Sequence, residues 1–214
     1  MKPMQGIALA IGMGLAVAVA QAHEGHAGSE PAAAAHGPAI QPVTAAGTHD
    51  AQAYFTDTRL LTQDGQEVAF YSDVLKDRLV LLNVIFTHCN DACPLITRKL
   101  KEVRDALGEP LAREVYFISL TSDPHNDSPQ VLKEFAAKHG VDSPNWLFLT
   151  GPKERVDLVL SRLGHLVESP EQHSTVLIAG DVANKRWSKI RPDAPVSAIT
   201  QRLQLMSMPP VANR

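Results

Sequence analysis

The sequence predicts an α/β protein: a three-layer sandwich in which a mixed central sheet with added hairpins lies between helices. Three observations lead there. Apolar runs of strand length alternate with stretches of helical spacing over much of the chain. Turn and cap residues stand between them where the chain must change element. The last apolar run is followed by a second short strand rather than a helix, so the closing pair folds as a hairpin and makes the sheet mixed.

Composition sets the frame for that reading. The chain has 214 residues, 44% hydrophobic and 20% charged, enough to bury a full core in one domain. Its formal net charge is −3 and it has no basic stripe, which argues against nucleic acid as a partner.

The first residues read as an address. Met1 to Pro3 carry one Lys, Gly6 to Ala20 are uncharged and mostly apolar, and Ala20-Gln21-Ala22 is a small-x-small site before polar residues. Residues 1–22 are therefore expected to be a secretory signal peptide, cleaved near Ala22 on export to a bacterial periplasm. The alternative is a retained inner-membrane anchor facing the periplasm, but an Ala- and Gly-rich run of this length is short of the roughly 20 residues a span needs. No stable membrane span is expected after processing. Residues 23–50, rich in Ala, Gly, Pro and His, read as a flexible linker. Its His23, His26, His36 and His49 are either a solvated tail or an accessory metal-capturing arm, since neutral imidazoles suit copper, nickel and zinc.

The folded domain is expected over 51–206, with 207–214 as a tail. Leu60 to Thr62 and Val68 to Phe70, joined through Asp64-Gly65, read as a hairpin. Asp73 to Arg78 is a polar connection, and Leu79 to Phe86 a buried strand. Leu100, Val103 and Leu107 recur at helical spacing, and Gly108 is a natural stop. Glu114 to Thr121 is a second buried strand. In Ser122-Asp123-Pro124-His125-Asn126-Asp127-Ser128-Pro129, Ser128 is a helix N-cap with Pro129 at the first helical position, and Asp123 and Asp127 read as turn formers. The helix runs to about His139. Trp146 to Leu149 is a strand, and a helix from Gly151-Pro152 ends near Gly164. Ser174 to Ala179 pairs with Arg186 to Ile190 as the closing hairpin. Pro195 to Met206 is the last helix, with Val196, Ile199, Leu203 and Met206 on one face.

Two cysteines, Cys89 and Cys93, lie where the buried strand ending at Phe86 turns into a helix opened by Pro94. A helix N-terminus presents unsatisfied N–H groups and the positive end of the macrodipole, so a thiol placed there is expected to favour its thiolate. The C-x3-C spacing lets the sulfurs converge on one ion or close a disulfide. A purely stabilising bridge is the weaker reading, because so short a loop removes little unfolded-chain entropy. Export to an oxidising compartment would close the pair, so a role for free thiols implies a periplasmic thiol reductant. In α/β sheets sites lie at strand C-terminal ends, where this loop falls. His173, just ahead of a strand, is a third group of interest.

Thr87-His88-Cys89-Asn90-Asp91-Ala92-Cys93-Pro94, then Ser122-Asp123-Pro124 with Asp127 and Pro129, then His173-Ser174 before an apolar strand, together resemble the Sco/SenC family of copper proteins. The resemblance covers about residues 55 to 206. Asn90 stands where relatives usually carry Pro. The resemblance implies a thioredoxin-like fold, copper held by Cys89, Cys93 and His173, and delivery of copper to, or reduction of, the CuA site of cytochrome c oxidase subunit II.

The donor chemistry agrees: two thiolates and one imidazole are a soft set suited to Cu(I), and an added water or carboxylate could complete a Cu(II) site. Zinc accepts the same donors but prefers four protein ligands in structural sites. Asp123 is a candidate to orient a ligand or dock a partner, with a plain turn role as its alternative. Met206 and Met208 could add thioethers, although Met206 also fits the core face of its helix. The leading expectation is a periplasmic metallochaperone without catalytic turnover. Its rival is a thiol-disulfide oxidoreductase in which Cys89 is the more exposed nucleophile and Cys93 resolves. A thiol peroxidase is a third reading, for which no arginine motif is assignable.

Overall fold

The computed structural model describes residues 51–209. The expected signal peptide, the linker with its four histidines and most of the expected tail lie outside the described residues.

Seven strands form one sheet: β1 Arg59–Thr62, β2 Glu67–Ala69, β3 Leu79–Ile85, β4 Val115–Thr121, β5 Trp146–Thr150, β6 Leu177–Asp181 and β7 Arg186–Ile190. Their order is β2-β1-β5-β4-β3-β6-β7. The centre is parallel, β3 with β4 and β4 with β5, as crossovers through helices require. β1 joins β5, and β6 joins β3, antiparallel, so a hairpin completes each edge. The expected mixed sheet with added hairpins is therefore present.

Period-two alternation divides the core. Leu81 and Ile85 of β3 face one layer with Phe117 of β4, while Val80, Leu82 and Val84 face the other with Ile118 and Leu120. The first layer is roofed by three helices, α2 Ala92–Leu107, α4 Pro129–Lys138 and α6 Val196–Ser207. Leu100, Val103, Leu132, Phe135, Ile199 and Leu203 are buried there. The second is covered by α1 Ala51–Phe55, a π-helical turn Phe70–Leu75 and α5 Lys153–Leu163, through Phe55, Phe70, Val74, Val156 and Leu160. Each fully buried Leu, Val or Phe stabilises the fold by about 1.5–3 kcal/mol before its entropy cost.

Several boundaries follow from named residues. Ser128 caps α4 by accepting from the Val131 N–H, with Pro129 in the first turn. Gly164 ends α5 in the left-handed conformation that a Cβ disfavours. α2 starts at Ala92, with Cys93 already inside its first turn.

Four expectations need correction. Asp73 to Arg78 is not a plain polar connection: the π-helical turn takes in Asp73 to Leu75 and buries Val74 and Leu75. The Asp73 carboxylate accepts from the Ala69 N–H at its start. A short helix, α3 Leu111–Glu114, precedes β4 where none was expected. The strand after His173 begins at Leu177 rather than Ser174, because β3 offers β6 no partner beyond Leu82↔Ile178. Met206 lies in the core, as its helix face led one to expect, but the thioether alternative for it and Met208 falls at the wrong end of the sheet. Arg186 fastens their carbonyls beside Asp181, which pairs with Leu79 at the start of β3, far from the loop that follows its end.

Candidate metal centre

Three segments meet beyond the C-terminal ends of β3 and β4. The Cys89 loop leaves β3, the Ser122–Ser128 loop leaves β4, and the segment carrying His173 enters β6, which runs antiparallel to β3. Ser122 binds the first and third together: its hydroxyl lies 3.3 Å from the Ile85 carbonyl and 3.4 Å from that of Pro170.

Both cysteines are free thiols, Cys89 half-buried and Cys93 buried. The Cys93 N–H points at the Cys89 Sγ, 3.3 Å away, so the N-terminus of α2 faces Cys89. Burial pushes the Cys89 thiol up, but the N–H groups of Cys93, Asp91 and Ala92 together outweigh it and hold the thiol below its ordinary value. Cys93 goes the other way. Burial pushes its thiol up to about 12, against the pull of the Phe86 N–H. The expectation that the junction favours the thiolate therefore holds for Cys89 and fails for Cys93, which α2 has drawn into the core.

His173 is 7% exposed, sheltered behind a short 3-10 turn, Pro170–Gln172. Its Nδ1 lies 2.6 Å from the Pro170 carbonyl, which can only accept, so Nδ1 carries the proton. The lone pair is left on Nε2, which stands 4.0 Å from Cys93 Sγ. The Phe86 ring meets the imidazole edge-on, with centroids 5.5 Å apart. Bonds of about 2.3 Å to sulfur and about 2.0 Å to nitrogen, as zinc makes, put two donors on a trigonal ion about 3.7 Å apart. The observed spacing is close to that.

Cys93 is thus the shared neighbour of Cys89 and His173. Among the described residues no three His, Cys, Asp or Glu side chains stand as a ready metal-holding group. Asp123 behaves as a turn residue. Its carboxylate accepts from Asn126 Nδ2, and its carbonyl from the Asn126 and Asp127 N–H groups. Asp127, read from sequence as another turn former, is instead fully buried and accepts from Thr87 and Thr121. Its SDPHNDSP setting carries no local signal for that.

Fold and site together define a thioredoxin-like protein that gathers two thiols and an imidazole at one end of its sheet. The SCO1/SenC family profile matches residues 46–185, and the chain belongs to that family. It is 35% identical over 117 residues to the SCO1 protein homolog of Bacillus subtilis, covering 54% of this chain but 59% of that one. Its fold matches BsSco, described as carrying a disulfide switch and as a member of the Sco family of cytochrome c oxidase assembly proteins. That match has a TM-score of 0.59 and 28% identity, covering 72% of this chain and 92% of BsSco. Bradyrhizobium japonicum ScoI with copper bound shares the fold at a TM-score of 0.58 and 22% identity, over 70% of this chain and 96% of that one. Among the described residues no helix is long and apolar enough to cross a membrane.

Proposed function

We propose that this protein is a periplasmic copper metallochaperone that holds copper through Cys89, Cys93 and His173 and passes it to a cuproprotein, such as the CuA site of cytochrome c oxidase subunit II. The observation that carries the reading is the 4.0 Å approach of Cys93 Sγ to a His173 nitrogen freed for coordination by the Pro170 carbonyl. A thiol-exchange site has no need of an imidazole aimed at its buried sulfur. Sulfur and imidazole donors fit Cu(I), and copper bound to ScoI and cytochrome oxidase assembly in BsSco support the same reading.

The residues divide the work. His173 and Cys93 form the buried side of the site, and Phe86 holds the imidazole. Cys89 is the outer donor, the one that a recipient's ligand reaches first. Copper is the cargo, and transfer is an exchange of donors, in which the recipient's ligand replaces Cys89 before the inner pair lets go.

The asymmetry of the two thiols favours a second activity of the same pair. The Cys89 thiolate attacks a recipient disulfide, forming a mixed disulfide and releasing one recipient thiolate. Cys93, on losing its proton, then attacks Cys89 Sγ, freeing the second recipient thiolate and leaving Cys89 and Cys93 joined. A periplasmic thiol reductant then restores the pair.

The deciding experiment is a Cu(I) competition titration against a chromophoric chelator. It uses the reduced chain with His23, His26, His36 and His49 changed to Ala, alone and with Cys89→Ser or His173→Ala added. One tight equivalent that both added changes weaken at least tenfold supports the site. Equal binding by His173→Ala overturns it, and exchange assays with a disulfide substrate then test the second activity.

A further inference from the structure

We infer that Asp127 is the positioning residue of this site, fixing the Thr87–Cys89 segment so that Cys89 and the Phe86–His173 pair are set before any ligand arrives. The inference rests on the copper site proposed above and adds a residue to it that binds no cargo.

Asp127 is 0% exposed, in the loop between β4 and α4. Its two oxygens share the Thr87 N–H, each at 3.2 Å. One accepts the Thr87 hydroxyl and the other the Thr121 hydroxyl, both at 2.5 Å. Every donor aimed at it therefore comes from the end of β3 or the end of β4. A buried carboxyl group that accepts from neighbours this way holds them tightly, because leaving any of those donors unpaired in the core costs free energy.

The geometry then runs outward along the chain. Thr87 is pinned at both its N–H and its hydroxyl, and lies between Phe86 and Cys89. Phe86 presses on the His173 imidazole, and its carbonyl accepts the Cys89 N–H at 3.2 Å. One buried side chain thus fixes the backbone from which both the outer thiol and the aromatic wall of the imidazole are hung. Thr121 also accepts the Asp123 N–H at 2.9 Å, so the same clamp holds the β4 loop whose Ser122 reaches Pro170. All three segments of the site are tied to it.

The test uses the full chain with Asp127→Asn, which keeps the shape but turns an amide donor toward donors, and the milder Thr87→Val, which removes one hydroxyl. Thr87→Ser keeps that hydroxyl and should rescue. Ser128→Ala, which loses the neighbouring helix cap, controls for stability alone. Three quantities are read well below each variant's melting temperature: Cu(I) affinity, the ratio of Cys89 to Cys93 alkylation rates without metal, and the equilibrium constant of the thiol pair with glutathione.

Asp127→Asn is expected to weaken Cu(I) binding at least tenfold and to change the alkylation ratio at least fivefold. Thr87→Val should show a smaller change in the same direction, while Thr87→Ser and Ser128→Ala stay within twofold. If Asp127→Asn fails to fold, Thr87→Val against Thr87→Ser decides. Folded Asp127→Asn or Thr87→Val protein with all three quantities within twofold of the parent overturns the inference. The alkylation ratio and glutathione equilibrium judge Asp127 even if the parent binds no copper, so failure of the site and failure of its support are told apart.

Discussion

His173 Nε2 stands 4.0 Å from Cys93 Sγ, although 80 positions separate the two residues in the chain. Both side chains are buried, and both are held by backbone: His173 by the Pro170 carbonyl and Cys93 by the first turn of α2. The outer thiol, Cys89, is the accessible member of the group.

Reduced, metal-free protein is therefore expected to be alkylated first at Cys89. At pH 7.5 Cys89 should react at least about tenfold faster than Cys93, because the thiolate is the attacking form, and it is favoured at Cys89 and suppressed at Cys93. Mass spectrometry of timed iodoacetamide quenches measures both rates. Equal rates would mean that the burial of Cys93 does not persist in solution.

Acid should destabilise the domain through His165. That residue is buried, with Nδ1 3.2 Å from the Ser174 carbonyl. Burial lowers its pKa; the Ser174 bond opposes this, while the charges of Lys189 and His173 add to it. Below about pH 6.5 the unfolded chain takes up a proton that the folded one resists, so stability falls as pH drops through that window. Urea midpoints at pH 7.5 and 5.5 measure the loss, and His165→Gln should reduce it. An unchanged pH dependence in the variant would assign the loss elsewhere.

Thr97 offers a gain. It lies one turn below Cys93 on α2, fully buried, and its hydroxyl has no hydrogen-bond partner. Thr97→Val keeps the shape and removes the orphaned group, so unfolding should cost about 1 kcal/mol more. Calorimetry of the two proteins checks the sign. A lower melting temperature in the variant would show that the hydroxyl is paired in solution.

Gly180 should not tolerate a methyl group. A Cβ there would lie 2.3 Å from Cζ3 of Trp187, whose ring covers it from β7 and packs on Phe55 with centroids 5.3 Å apart. Gly180→Ala is expected to expel the indole, red-shift tryptophan emission and cost about 1–3 kcal/mol. Unshifted emission with unchanged stability would contradict this packing.

Much of this was legible in the residues. Ser128 and Pro129 start a helix by local chemistry, and Gly164 ends one because its φ of 73° suits glycine. The cysteines were legible at the strand-to-helix junction, whereas His173 stood out only through the resemblance to the Sco/SenC family; its 4.0 Å approach to Cys93 is a tertiary fact. The misses are tertiary. Phe70–Leu75 is a single turn, too short to show a period, and is held by the Ala69–Asp73 bond and by Asp57 on Ser72. Asp127 looks like any aspartate of a polar turn, and its role depends on Thr87, 40 residues away. Cys93 was placed at the helix N-terminus correctly, but its thiol chemistry is set by how far α2 sinks into the core.

The spacing of the three side chains also bears on how long the protein survives. A bond between Cys89 and Cys93 closes a loop of four residues and is worth about 2 kcal/mol in the chain-entropy picture. A bridge from Cys93 to His173 closes one of 80 and is worth about 4–5 kcal/mol. Oxidation thus staples one turn, whereas a shared ion would lash together nearly half the domain. On the copper site proposed above, a chain that had given up its ion would reopen more often, and proteases would clear spent copies ahead of loaded ones.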